Sequence, residues 1–278
     1  MPGIVSRAWA VIFFSRYAFK NFSGGTSLYI LFYYWKIKLK NFFLKRILKI
    51  SLKRESFLGF KVTFRNYTHF TFLFEQIFLA QVYRFHTEEK KPVILDCGAN
   101  IGMATFFFKY LYPGAEISAA EADPEIYEYL KRNVEINGFS GVKTVNRAVY
   151  DRDTKLKFNY EKSSLFQPGG SQKEVKSVKF SSLINKKIDF LKMDIEGAEL
   201  KTILEAKRKK KLGKIKEGII EIHHHLPGCG EVFLPVINTL KKNGFDYQLV
   251  TFLYYPPFKK AIFQDFLLYV YRPLKIKK

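Results

Sequence analysis

The stretch Val93-Ile94-Leu95-Asp96-Cys97-Gly98-Ala99-Asn100-Ile101-Gly102 decides the fold class. Val93, Ile94 and Leu95 form a short, apolar, β-branched run, which predicts a buried strand. A glycine turn follows, and residues 103–111 then predict a helix. Glycine at 98 and 102 removes Cβ atoms where the backbone must turn tightly and approach a ligand. Backbone N–H groups at the helix start are free to meet an anionic group. In an open α/β sheet, ligands bind beyond the carboxyl ends of the strands. Two competing nucleotide loops fail on spacing: a dinucleotide fingerprint starting at Gly98 needs glycines where Asn100 and Met103 stand, and no Gly-Lys-Ser/Thr phosphate loop is present.

Downstream, the pattern repeats. Residues 117–120 predict a second strand and 124–137 a helix, opened by Pro124 and ended by Gly138. Residues 142–149 predict the third strand, and 155–160 with 175–180 a hairpin around Pro168-Gly169-Gly170. The fourth strand falls at 188–193 with its helix at 198–206, the fifth at 219–223 with a helix at 232–243. Segments 247–254 and 266–271 close the chain as an antiparallel edge. Upstream, 57–64 reads as a strand and 70–85 as a helix, because Phe70, Phe74, Ile77, Phe78 and Val82 fall near 3.6-residue spacing. The expected architecture is α/β and Rossmann-like: a mostly parallel sheet with an antiparallel C-terminal edge and helices on both faces. It divides the chain into an extension, 1–54, and a domain, 55–278, whose ligand-binding core spans 90–225.

Candidate site residues lie at the strand ends. Asp96, Gly98, Asn100 and Gly102 form the loop. Glu121 ends the second strand, where an acidic side chain can accept both hydroxyls of a ribose. Ala148, in Asn146-Arg147-Ala148, should flank the base of the same ligand. Asp194 and Glu196 follow the fourth strand, and Glu199 suits a helix start, where the dipole favours carboxylates. Lys192 alternates with Leu191 and Met193, so it either lines the site or pairs with one of these acids. Glu221 and His223 leave the fifth strand on one face, and an imidazole titrates in the range a base needs. Asp194, Glu196 and His223 are therefore the candidate catalytic groups. A divalent ion on Asp194, Glu196, Glu221 and His223 is conceivable, but no metal is assigned.

These segments together resemble the FkbM family of S-adenosylmethionine-dependent methyltransferases, from about residue 70 to about residue 250. The resemblance rests on 93–102, Glu121, Arg132-Asn133-Val134-Glu135-Ile136-Asn137-Gly138, Ala148-Val149, Leu191-Lys192-Met193-Asp194-Ile195-Glu196-Gly197-Ala198-Glu199 and Ile219-Ile220-Glu221-Ile222-His223. The Lys-x-Asp-x-Glu-Gly-x-Glu segment is the most distinctive. One departure is the order Glu121-Ala122-Asp123-Pro124, where the family has proline directly after the glutamate. The resemblance implies the class I methyltransferase fold, S-adenosylmethionine as cofactor, and methylation of a hydroxyl on a sugar, glycan or lipid-linked substrate. RNA methylation exploiting the positive charge is the alternative. Against it, Asp194-Ile195-Glu196-Gly197 stands where base-methylating enzymes of this fold commonly carry Asn/Asp-Pro-Pro-aromatic, with no ring to stack a flipped base.

Composition bounds the rest. The net charge is +22, and residues 1–54 hold eleven Lys/Arg with no Asp or Glu. That segment interleaves cations with Trp and Phe, which suits either a helical cap with snorkelling lysines or contact with an anionic membrane surface. Its longest uncharged stretch, 21–35, is too short to span a bilayer. Arg7 and the apolar 8–14 faintly resemble a signal peptide, but Arg16 follows with no small-residue cleavage site. Two cysteines, Cys97 and Cys229, make no disulfide framework. The expected setting is cytoplasmic, with peripheral contact at the inner membrane surface as the sharper reading. The lysine run 207–211 reads as a solvated loop.

Overall fold

The computed structural model describes residues 15–16, 20–21, 25–50, 52–159, 172–224, 230–251 and 264–273. In chain order the elements are α1 (Gly25–Phe42), β1 (Arg54–Phe57), β2 (Phe60–Thr63), α2 (Tyr67–Phe74), β3 (Val93–Cys97), α3 (Met103–Leu111), β4 (Glu116–Glu121), α4 (Pro124–Ile136) and β5 (Val142–Asn146). They continue with β6 (Ala148–Tyr150), β7 (Lys155–Asn159), β8 (Gln172–Lys179), β9 (Ile188–Met193), α5 (Glu199–Arg208), β10 (Ile215–His224), α6 (Phe233–Lys242), β11 (Asp246–Thr251) and β12 (Gln264–Tyr271). A single helical turn, Phe180–Leu183, sits between β8 and β9.

Seven strands form one sheet in the order β11-β12-β10-β9-β3-β4-β5. Neighbours from β5 to β10 pair parallel, and β12 enters antiparallel between β10 and β11. This is the Rossmann-like class I arrangement that the sequence predicts. β3 and β9 are buried almost throughout because helices cover both faces. The chain order reverses at β3, with β4 on one side and β9 on the other, so the crevice opens at the carboxyl end of β3.

The phenylalanine richness has a location. Phe57, Phe70, Phe74, Phe78 and Phe106 form one buried cluster, with ring centroids 5.0–6.0 Å from that of Phe57. Ile30, Tyr34 and Ile37 of α1 enter the same cluster, so α1 is packed on the sheet domain rather than hung from it. Below them Glu55 accepts from Lys40 and Tyr67, and Glu75 from Lys38 and Tyr34. Among the described residues no helix is long and apolar enough to cross a membrane.

Four expectations are corrected. Residues 57–64 are the turn and second strand of a hairpin, since Leu58 and Gly59 both take positive φ and turn β1 back on β2. Helix 70–85 ends earlier: α2 stops at Phe74, a π-turn covers Glu75–Leu79, and Gln81 turns at φ +55°. The third strand breaks at Arg147, where Asn146 spends its side chain on the carbonyls of Glu121 and Ala122. Ala148–Tyr150 then pairs with β8 in a separate three-stranded sheet. β7 and β8 do pair as a hairpin, with β8 running from Gln172 to Lys179, but residue 160, the Pro168-Gly169-Gly170 turn, Arg7 to Phe14, and residues 252–254 lie outside the described residues. The lysine run ends α5, where cations suit the helix C-terminus, and Lys211 and Lys214 donate to the carbonyls of Ile184 and Asn185.

Candidate active site

Five segments meet at the carboxyl end of the sheet. Gly98, at φ +83°, passes so close to β9 that a Cβ built there would lie 1.8 Å from the carbonyl oxygen of Asp194. The Asp194 N–H closes the gap from the other side by donating to the Cys97 carbonyl at 3.0 Å. Any side chain at 98 would therefore push the loop off the strand that carries Asp194. Asn100 follows in left-handed conformation, φ +52°, and its N–H donates to Glu121 at 2.8 Å.

Glu121 is buried, and its other oxygen accepts from the N–H of Asp123 at 2.9 Å. Burial pushes its carboxyl up to about 7, against the two backbone donors. Each oxygen has two lone pairs, so one per oxygen remains for a ligand. The shifted turn after Glu121 has a use: Asp123 caps α4 by accepting from the N–H groups of Glu125 and Ile126, with Pro124 in the first turn. An open cleft runs along this edge, lined by Gly98, Asn100, Glu121, Ala148, Asp194 and Glu196 among others.

Asp96 and Gly102 are not among the residues lining that cleft. Asp96 is fully buried beneath it, accepts from Thr105, and lies 3.5 Å from the Lys192 ammonium. Gly102, at φ +91°, faces Leu130 and lets α3 start close to α4. Lys192, expected either to line the site or to pair with an acid, pairs with two. Its Nζ is 3.6 Å from Asp194, donates to the Gly98 carbonyl, and lies 5.5 Å from the centre of the Tyr83 ring. Burial works against its charge, but Asp96, Asp194, Glu221 and Glu121 outweigh it and hold the ammonium protonated.

Glu221 and His223 share a face of β10, as alternation requires. Glu221 lies beside the Tyr83 phenol, and His223 sits over the β9 turn. His223 Nδ1 is 3.0 Å from buried Glu199, while Nε2 faces Glu196 at 3.5 Å and Asp194 at 3.8 Å. Burial disfavours the imidazolium, but these three carboxylates prevail and raise its pKa well above the usual value. The ligand atoms of Asp194, Glu196 and His223 lie within 4.8 Å of one another, a spacing that could hold a metal ion. Glu199 also accepts from the Gly197 N–H, so it starts α5 and fixes the histidine ring at once. His224 ends β10, and His225 lies outside the described residues.

Two neighbours escaped the sequence reading. Tyr83 arrives from the loop after the π-turn, a segment read as helix, and no spacing announces it. His69 of α2 lies beside Asn100, so α2 flanks the loop.

Comparison with known proteins identifies the family. The methyltransferase FkbM domain matches residues 96–247, more than half of the chain. Methyltransferase sdnD of Sordaria araneosa is 28% identical over 173 residues, 48% of this chain and 67% of that protein. Methyltransferase 1 of Beauveria bassiana (strain ARSEF 2860) is 26% identical over 162 residues, 46% of this chain and 64% of that protein. The chain thus spans about two thirds of the length of the curated relatives it matches. Among solved structures, methyltransferase FkbM of Methylobacillus flagellatus KT aligns at TM-score 0.45 and 19% identity, covering 72% of this chain and 53% of that one. TYW2 of M. jannaschii, solved in complex with AdoMet, aligns at TM-score 0.42 and 17% identity, covering 79% and 86%.

Proposed function

Because the chain belongs to the FkbM methyltransferase family, we propose that it moves a methyl group from S-adenosylmethionine to a hydroxyl oxygen of a sugar, glycan or lipid-linked acceptor. The observation that carries this reading is the convergence of Asp194, Glu196 and His223 beside the Gly98–Glu121 cleft.

The residues present fit the cofactor. Glu121 keeps lone pairs for two ribose hydroxyls, Gly98 lines the cleft between it and Asp194, and Ala148 with Phe158 forms an apolar end for a base. Bound there, S-adenosylmethionine would supply an activated methyl group on a cationic sulfur. The chain must orient the acceptor and take its proton. Asp194 is the better proton acceptor, because the surrounding carboxylates hold His223 as an imidazolium. Lys192 and His223 flank that carboxylate and fix where it points. A positioned base of this kind contributes about 10²–10⁴-fold.

Calorimetry with S-adenosylmethionine and with its homocysteine product tests the cofactor. Heat from neither ligand would sink the proposal. Radiolabelled transfer to a panel of sugars, lipid-linked glycans and tRNA then tests the acceptor. Transfer to tRNA alone would replace the hydroxyl reading with the RNA one. Asp194→Asn should lower turnover by about 10²–10⁴-fold while leaving cofactor affinity near that of the parent.

A further inference from the structure

We propose that the outer face of α1, with the π-turn Phe43–Ile47 that follows it, docks on the surface of an anionic phospholipid bilayer. α1 is apolar on two sides. Ile30, Tyr34 and Ile37 are fully buried in the core. On the far side Leu28, Phe32, Trp35, Leu39 and Phe42 repeat at four- and three-residue steps, and each is between 45% and 63% exposed. The stripe continues past the helix end, where Ile47 and Leu48 are also more than half exposed. A surface helix normally has one apolar face, and an apolar patch of this length marks an interaction site.

Charge selects the occupant. The segment up to residue 54 holds eleven cations and no acid. Lys36, Lys38 and Lys40 turn inward to Glu55 and Glu75, whereas Arg16, Lys20, Lys49 and Arg54 are exposed. A second copy of this chain would bring the same excess charge to the same place and be repelled. An anionic headgroup layer attracts it. Aromatic rings among cations match the depth at which headgroups give way to acyl chains. Since no described helix can cross a bilayer, α1 lies along the surface.

The docking face is tied to the acceptor end of the site. Asn21 donates to the Leu79 carbonyl at 2.8 Å and accepts from Arg84 at 3.2 Å, so the N-terminal segment brackets the loop that brings Tyr83 to Lys192. Docking would hold that end near the membrane, which favours an acceptor hydroxyl carried by a lipid. This last step rests on the proposed methyl transfer; the docking does not.

The full chain is mixed with vesicles of phosphatidylcholine alone or with phosphatidylserine added, and binding is read by co-sedimentation. A Trp9→Phe chain leaves Trp35 as the single tryptophan, whose emission should shift to the blue on binding. Binding should favour the anionic vesicles by about tenfold or more and weaken as salt rises to about 0.5 M. The exposed-face variant Phe32→Ser/Trp35→Ser/Leu39→Ser should lose about tenfold or more in binding. It should keep the parent's melting temperature and its methyl transfer to a water-soluble acceptor. Equal binding by this variant, indifference to phosphatidylserine, or concentration-dependent dimerisation through the same face would overturn the proposal. Loss of methyl transfer with vesicle binding intact would overturn the catalytic reading and leave docking standing.

Discussion

Lys192 sits with its ammonium between Asp96 and Asp194, sealed from water, so the three charges are held as one unit. Lys192→Met keeps the length of the side chain and removes the cation, which strands Asp96 fully buried without a counter-ion. Such a loss costs about 3–5 kcal/mol, and urea unfolding should show it. The double variant Asp96→Asn/Lys192→Met should recover most of that cost. A single variant within about 1 kcal/mol of the parent would show that Asp96 is already neutral there. His223 offers a pH test. Its folded-state pKa stands well above 6.5, because Glu199, Glu196 and Asp194 outweigh burial. The imidazolium therefore stabilises the fold fully below pH 6.5, and the contribution is lost as pH rises through the raised value. The melting temperature of the parent should fall across that alkaline window. His223→Gln should lie lower at neutral pH and be flatter above it. Parallel curves would mean that the ring is neutral in the fold.

At the scale of elements, α4 acts as a bracket between the β1–β2 hairpin and the Asp96–Gly102 loop. Asn133 accepts from the N–H and hydroxyl of Thr63 and donates to the carbonyls of Thr63 and Ile101, with distances of 2.7–2.9 Å. One turn later Asn137 makes the same two-way pair with the backbone of Lys61. Residues 61 and 63 present the same edge of β2, so the helix closes that edge through side chains. Asn133→Ala leaves several partly buried backbone groups unpaired, at about 1–3 kcal/mol each. It should lower stability by about 2–4 kcal/mol in urea and weaken cofactor binding, since Ile101 follows Asn100. Asn137→Ala, which removes one backbone pair at a half-buried site, should cost less than half as much. Within elements, regular spacing was enough to read bounds: α3 and β9 lie at 103–111 and 188–193, as the sequence predicts. Spacing failed where the backbone changes hand or pitch. Phe57, Phe60, Val62 and Phe64 are all at least half-buried, so a hairpin and one long strand look alike until Leu58 and Gly59 turn. The π-turn after α2 keeps Ile77, Phe78 and Leu79 buried, so its apolar pattern is indistinguishable from a continuing helix.

At the scale of the whole molecule, the site exists only because distant segments meet: 96–102, 121–123, 146–148, 192–199 and 221–223. Each strand-end acid was legible, since the chain order of an open α/β sheet dictates which ends meet. The partnerships were not. Nothing in the sequence says that Glu199 faces His223 or that Tyr83 roofs Lys192, because both depend on packing across separate elements. A ligand gripped by several of these segments binds the folded chain and not the unfolded one. Its stabilisation is then RT ln(1 + [L]/Kd), about 2.7 kcal/mol at a hundredfold excess over Kd. For a chain near this size, that amounts to a rise of about 5–10 °C in melting temperature. S-adenosylmethionine should produce this shift, growing with the logarithm of its concentration. Glu121→Ala removes the acceptor of the Asn100 and Asp123 N–H groups, so its own melting temperature should drop by a few degrees. The decisive quantity is the ligand-induced increment, which should vanish in that variant and persist in Glu125→Ala, an exposed neighbour on α4. An undiminished increment in Glu121→Ala would mean that the cofactor lies elsewhere along the crevice.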